Sequence, residues 1–214
     1  MPSDRSPAGI CMFDVDGTLT AAPRSLEAGK TRSEPVQACL AADYLVGVAT
    51  ASGRQWQDVC TAAGRSTGRE AWATDDLCTA MASVGFSTFC STGGARAQIG
   101  GVPISDLPES KIREFAALTA SGRHGLLKGW AMEQVRLSNF PDVPAADLIL
   151  FDNEPTWVRD AILTGVSAFC VHPENSNGCE SGVPVSDFDW EGVHRTLKER
   201  KASQVYATPP RDSC

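Results

Sequence analysis

Residues 10–20 read ICMFDVDGTLT, an apolar run that ends in two aspartates one residue apart. The run predicts a buried β-strand over residues 9–13, because strands covered on both faces are nearly continuous in apolar residues. Gly17 ends the strand, so Asp14 and Asp16 can both turn toward the crevice beyond it. A divalent cation is the natural way to hold two such carboxylates together, and their hard oxygens suit Mg²⁺. An ionised carboxylate there is also a nucleophile toward phosphorus.

Short apolar runs alternate with amphipathic segments along the rest of the chain. Strands are predicted at residues 9–13, 44–50, 84–90, 147–151 and 166–171. Helices are predicted at residues 33–42, 53–64, 74–85, 109–122, 128–138 and 155–165, and the Gly- and Pro-rich segment 90–108 reads as a long loop. This alternation predicts an α/β fold with a parallel sheet wound by right-handed crossovers. Active sites of such sheets lie at the carboxyl ends of the strands, so Asp14, Thr50 and Asp152 should converge on one crevice.

The length of 214 residues suits one domain. We expect a single α/β domain over residues 9–199, a flexible segment at 1–8 and a flexible tail at 200–214. The net charge of −7 argues against nucleic-acid and anionic-membrane partners. The sequence is compatible with an oligomer.

The eight cysteines form no CxxC pair and several lie in apolar stretches. There a free thiol behaves as a small core hydrophobe, which predicts reduced cysteines. The polar N-terminus and the lack of a long apolar run predict no secretory leader and no membrane span. Together these features predict a cytoplasmic protein.

FDVDGTLT is similar to the first motif of the haloacid dehalogenase (HAD) superfamily, which is Asp-x-Asp-Gly-Thr after a hydrophobic strand. The second family motif is a Thr or Ser that closes the next strand. In YLVGVATASGR the match is Thr50, with Ser52 as the alternative. The resemblance implies that this hydroxyl and the amide of Ala51 bind a phosphoryl oxygen.

The third family motif is a lysine at the start of a helix, some twenty-odd residues before the last acidic strand end. Lys128 in LLKGWAMEQV matches it, and Lys111 is the competitor, for which a solvated surface position is the better interpretation. The fourth motif is acidic, and LILFDNEP supplies Asp152 followed by Asn153 instead of a second Asp. The superfamily branch that dephosphorylates the tail of RNA polymerase II carries a similar Asp-Asn-x-Pro sequence, with the Asn as a metal ligand. Either Asp152 binds the metal through water and Asn153 directly, or the reverse.

The resemblance implies a Rossmann-like three-layer fold with a central parallel sheet and a minimal cap. It also implies a Mg²⁺-dependent phosphomonoester hydrolase that forms an aspartyl-phosphate. Asp14 is then the nucleophile and Asp16 the general acid and base. Family phosphatases carry an acid at this second position, where the related ion-pumping ATPases carry Thr, so Asp16 favours phosphate-ester hydrolysis. The metal ligands are Asp14, the Asp16 carbonyl, and Asp152 or Asn153, with Lys128 and Thr50 assisting.

The substrate implied is a phosphorylated small metabolite or a phosphoprotein. A minimally capped, open site favours a large substrate, whereas a loop at 91–108 folded over the site would favour a small one. A different class of function is a catalytically degenerate HAD domain that serves as a binding or regulatory module.

Overall fold

A computed structural model describes residues 7–19, 33–53, 60 and 73–170. Its strands are β1 Gly9–Phe13, β2 Tyr44–Thr50, β3 Phe89–Ser91, β4 Gln98–Ile99, β5 Val102–Pro103, β6 Leu148–Asp152 and β7 Ser167–Cys170. Its α-helices are α1 Ser33–Ala41, α2 Ala73–Val84, α3 Glu109–Ala120, α4 His124–Asn139 and α5 Pro155–Ile162. Three predicted segments lie largely or wholly outside the described residues. The tail at 200–214 lies wholly outside them, and the helix at 53–64 and the flexible segment at 1–8 lie almost wholly outside them.

The strands form one seven-stranded sheet in the order β5-β4-β3-β2-β1-β6-β7. Five neighbouring strands of this sheet, β3, β2, β1, β6 and β7, are parallel, and β1 lies between β2 and β6. The chain therefore winds from β1 through β2 to β3 on one side and continues with β6 and β7 on the other. This reversal creates a crevice beyond the carboxyl ends of β1 and β6, as in Rossmann-like sheets. The predicted α/β class is confirmed.

The prediction of a wholly parallel sheet and of a loop over residues 90–108 is wrong. Within that segment β4 pairs antiparallel with β3 and β5 pairs antiparallel with β4, so the sheet is mixed. Gly100 and Gly101 join the two short strands with φ values of 58° and 80°. Two successive positive φ angles are typical of a tight hairpin turn, and glycine adopts them without strain.

The strand predicted at 84–90 begins later than its apolar pattern indicates. Residues Gly85–Thr88 form a single 3₁₀ turn, and only Phe89–Ser91 are extended. A local bond stabilises this turn, since the Ser87 hydroxyl donates to the Val84 carbonyl at 2.6 Å. The Thr88 hydroxyl donates to the Val46 carbonyl of β2 at 3.1 Å and ties the turn to that strand. Side-chain hydrogen bonds of this kind compete with a strand ladder.

The core lies on both faces of the sheet. On β1, Cys11 and Phe13 pack with residues of α1 and α2, whereas Ile10 and Met12 pack with residues of α4 and α5. This alternation is the period of two of a strand, and it requires a helical layer on each side. The sheet is thus the middle of three layers, and its strand ends are held between two apolar cores.

The cysteines are not all free thiols, and the prediction of reduced cysteines is wrong for most of those that the structure describes. Cys11 is disulfide-bonded to Cys39, and Cys60 to Cys78. The first bridge joins β1 to α1, whose packing brings the two Cα atoms to 6.4 Å. Disulfides persist mainly in oxidising compartments, so the pairing contradicts the reduced-cysteine argument for a cytoplasmic location. Within the described ranges, no helix has the length and apolar character needed to cross a membrane.

Candidate active site

Two buried aspartates meet at the carboxyl ends of the adjacent parallel strands β1 and β6. Asp14 follows β1 directly, and Asp152 is the last residue of β6. The register pairs Phe13 with Phe151, and the Asp14 amide donates to the Phe151 carbonyl at 2.8 Å. The predicted convergence of Asp14 and Asp152 on one crevice is therefore confirmed.

Lys128 joins the two aspartates. Its ammonium donates to Asp14 Oδ1 at 2.7 Å and to Asp152 Oδ2 at 2.5 Å, and its side chain is fully buried. The competing Lys111 pairs instead with Glu114 on the outer face of α3. The helix that carries Lys128 begins at His124, so the lysine lies one turn inside α4. The sequence had predicted Lys128 as the first residue of this helix.

When both carboxylates of this group are ionised, it carries one negative charge more than the Lys128 ammonium balances. All three side chains are buried from solvent. Burial raises the pKa of Asp14 to about 7, against the opposing effect of the Lys128 charge, and the neighbouring Asp152 and Asp16 add to the rise. Burial lowers the pKa of Lys128, but the two carboxylates outweigh it, and the net shift is upward. Lys128 is therefore a cation at neutral pH.

The turn after Asp14 brings Asn153 to the same place. Gly17 has a φ of 87°, and a Cβ atom there would lie 2.5 Å from Asn153 Nδ2. The Thr18 hydroxyl donates to Asn153 Oδ1 at 3.2 Å. Asp16 is half-buried in this turn. The Gly-Thr pair of the first motif thus has a structural reason, since it lets the two motif loops touch.

Thr50 ends β2 beside this group and is buried. Its Oγ1 lies 3.0 Å from Ser52 Oγ and accepts a hydrogen bond from the Ser52 amide at 3.1 Å. Ala51 lies between them, half-buried, and its carbonyl abuts Gly93, where a Cβ atom would come within 2.0 Å. The two candidate hydroxyls of the second motif therefore lie within hydrogen-bond distance of each other.

The donor set at this edge suits a hard divalent cation. Across the described ranges no three His, Cys, Asp or Glu side chains are grouped around a metal position. The predicted ligands are of a different kind: the carboxylates of Asp14 and Asp152, the amide oxygen of Asn153 and the Asp16 carbonyl. All four are the oxygen donors that Mg²⁺ prefers, and the excess negative charge is the charge that a cation would offset.

Sequence reasoning missed Trp157, whose ring centroid lies 4.5 Å from Lys128 Nζ. The sequence did carry a signal for this residue, since Trp157 directly follows the fourth motif and lies in the first turn of α5. Cys90 also lies near Lys128 and is the free cysteine of the described segments. Burial raises the pKa of its thiol to about 12, so it is not a nucleophile at neutral pH.

The fold and the site define an α/β protein with a buried lysine between two aspartates at the switch point of its sheet. No protein-family model, no curated protein and no solved structure matches the chain. The resemblance to the HAD superfamily accordingly stays a prediction.

Proposed function

We propose that the protein is a Mg²⁺-dependent phosphomonoester hydrolase of the HAD type, with a HAD-like fold, acting through an aspartyl-phosphate. The observation that carries this proposal is the bridge of Lys128 between Asp14 and Asp152 at the carboxyl ends of adjacent strands. A nucleophilic carboxylate needs a nearby cation to approach a phosphate ester, whose oxygens are negative. The bridge supplies a permanent cation there.

The proposed reaction has two steps. An Asp14 carboxylate oxygen attacks phosphorus, the bond to the leaving oxygen breaks, and Asp16 donates a proton to the departing alcohol. Asp16 then takes a proton from water, the water oxygen attacks phosphorus, and the bond to Asp14 breaks to release inorganic phosphate. Thr50 and the Ala51 amide bind a phosphoryl oxygen throughout.

Lys128 has the same role in both steps. Its charge stays between Asp14 and Asp152 and stabilises the negative charge that grows on the phosphoryl oxygens. A bound Mg²⁺, held by the oxygen donors described above, would supply further charge neutralisation.

The hairpin of β4 and β5 argues against a cap formed by residues 91–108. These residues extend the sheet at its edge, and Gly100 donates to the Phe89 carbonyl at 2.8 Å. They are thereby committed to the sheet and not free to fold over Asp14. We accordingly favour a minimal cap and a phosphoprotein over a small phosphorylated metabolite as substrate.

The test is a phosphoester screen with Mg²⁺, from an aryl phosphate through sugars, nucleotides and amino acids to phosphopeptides. Wild type should release phosphate from at least one class, and Asp14→Asn should not. Asp147→Asn is the matched control, because Asp147 is a buried carboxylate that accepts from the Tyr44 hydroxyl just before β6, at the opposite end of that strand. If wild type does not exceed the Asp14→Asn background on any substrate, the proposal fails and the binding-module alternative replaces it.

A further inference from the structure

Trp157 covers the side of the Lys128 ammonium that the aspartates leave open. Two of the three ammonium hydrogens are directed to Asp14 and Asp152, and the indole ring lies 4.5 Å from the nitrogen. The ring is half-buried, and the exposed His124 ring packs on it with centroids 5.1 Å apart. The indole thus stands between the buried cation and the imidazole at the surface.

Two glycines on α4 explain why the ring can reach this place. A Cβ atom at Gly125 would lie 2.2 Å from the Trp157 carbonyl oxygen, and one at Gly129 would lie 2.2 Å from Thr164 Oγ1. The two glycines are one helical turn apart. Gly125 lets α5 approach α4 closely, and Gly129 does the same for the turn that follows α5. This approach seats the first turn of α5 on the lysine.

An aromatic face suits this cation for a specific reason. The ring attracts the ammonium through its quadrupole without adding a third negative charge. The ring therefore does not compete with either aspartate for its hydrogen bond to Lys128. It also excludes water, which would otherwise solvate the third hydrogen and allow the flexible lysine stem other rotamers. We propose that Trp157 is a positioning residue that fixes the Lys128 ammonium between Asp14 and Asp152. The catalytic part of this proposal rests on the proposed phosphatase function.

The kinetic test compares Trp157→Leu with Trp157→Phe, using an aryl phosphate and Mg²⁺. Losing a desolvated cation–π contact should lower kcat about 30-fold in Trp157→Leu with little change in KM. Trp157→Phe retains an aromatic face and should lie within about fivefold of wild type. Trp130→Phe is the matched control, since Trp130 lies on the same helix but packs on Phe115 and donates to Glu114. Wild-type kcat in Trp157→Leu, or equal impairment in the Leu and Phe variants, would overturn the proposal.

A second measurement needs no activity and separates this proposal from the first. The ε-methylene protons of Lys128, assigned by their loss in Lys128→Arg, should resonate upfield because of the indole ring current. The upfield shift should vanish in Trp157→Leu and persist in part in Trp157→Phe. If wild type hydrolyses nothing but shows the shift, the phosphatase proposal fails and the positioning of Lys128 stands. An unshifted wild-type signal would refute the positioning whatever the activity.

Discussion

Replacing Asp14 by Asn should stabilise the metal-free protein at neutral pH. Burial raises the pKa of Asp14 to about 7 from an ordinary value of 3.8. Below pH 3.8 the carboxyl is protonated in both the folded and the unfolded chain, and it carries no penalty. As the pH rises from there to about 7, the unfolded chain loses this proton while the fold retains it, so folding stability falls. Asparagine cannot ionise and escapes this loss.

The magnitude follows from the width of that window. Each pH unit between the two pKa values of Asp14 shifts the free energy of unfolding by about 1.4 kcal/mol. The window from 3.8 to about 7 therefore corresponds to about 4 kcal/mol. The stability advantage of Asp14→Asn over wild type should grow by this amount between pH 4 and pH 8, and then level off.

The assay is urea denaturation of both proteins in EDTA across this pH range, with Asp147→Asn as the control for an Asp-to-Asn change in another buried carboxyl. Adding Mg²⁺ should narrow the gap at high pH, because a bound cation favours ionised Asp14. A difference between Asp14→Asn and wild type that does not change with pH would refute the reasoning. It would mean that Lys128 fully offsets the burial of the Asp14 carboxylate.

Four further changes test other contacts. Lys128→Met should lower kcat by at least about 100-fold, with KM measured alongside, because it removes the cation between the two carboxylates. Asn153→Ala should raise the Mg²⁺ concentration for half-activity about tenfold, and an unchanged titration would remove Asn153 from the site. Replacing Cys11 and Cys39 together by Ala should cost about 3–4 kcal/mol in urea denaturation, given their separation of 28 residues, and alkylation of either in denatured, unreduced protein would contradict the bridge. Gly125→Ala should destabilise by about 1–3 kcal/mol in the same assay despite the better helix propensity of Ala, and a more stable variant would contradict the close approach to α5.

The sequence predicts the central strands and the buried group well, and the reason is local. Continuous apolar runs end in Asp14 and Asp152, and the carboxyl ends of parallel strands lie at one edge of a sheet. The choice of Lys128 over Lys111 follows from position, because Lys128 precedes Asp152 by 24 residues, as the family's motif order requires.

Other features depend on contacts between distant segments. The Cys11–Cys39 bridge forms because α1 packs on β1, and no spacing rule gives this pairing. The contact of Trp157 with Lys128 requires the close packing of α5 on α4 that the glycines of α4 allow. This packing depends on both helices and cannot be predicted from either one alone. By contrast, the hairpin at Gly100 has a readable signal, a Gly-Gly pair between short apolar segments, which the loop interpretation overlooked.

Chemical trapping of the covalent intermediate examines the role of Asp14 without reference to any substrate preference. Protein mixed with an aryl phosphate and Mg²⁺ is quenched and treated with borohydride, which reduces an aspartyl-phosphate to homoserine, and the peptides are mapped by mass spectrometry. We predict homoserine at position 14, dependent on substrate, and none at Asp16 or Asp152. Turnover without any reduced residue, or with the reduced residue at another position, would contradict Asp14 as the nucleophile.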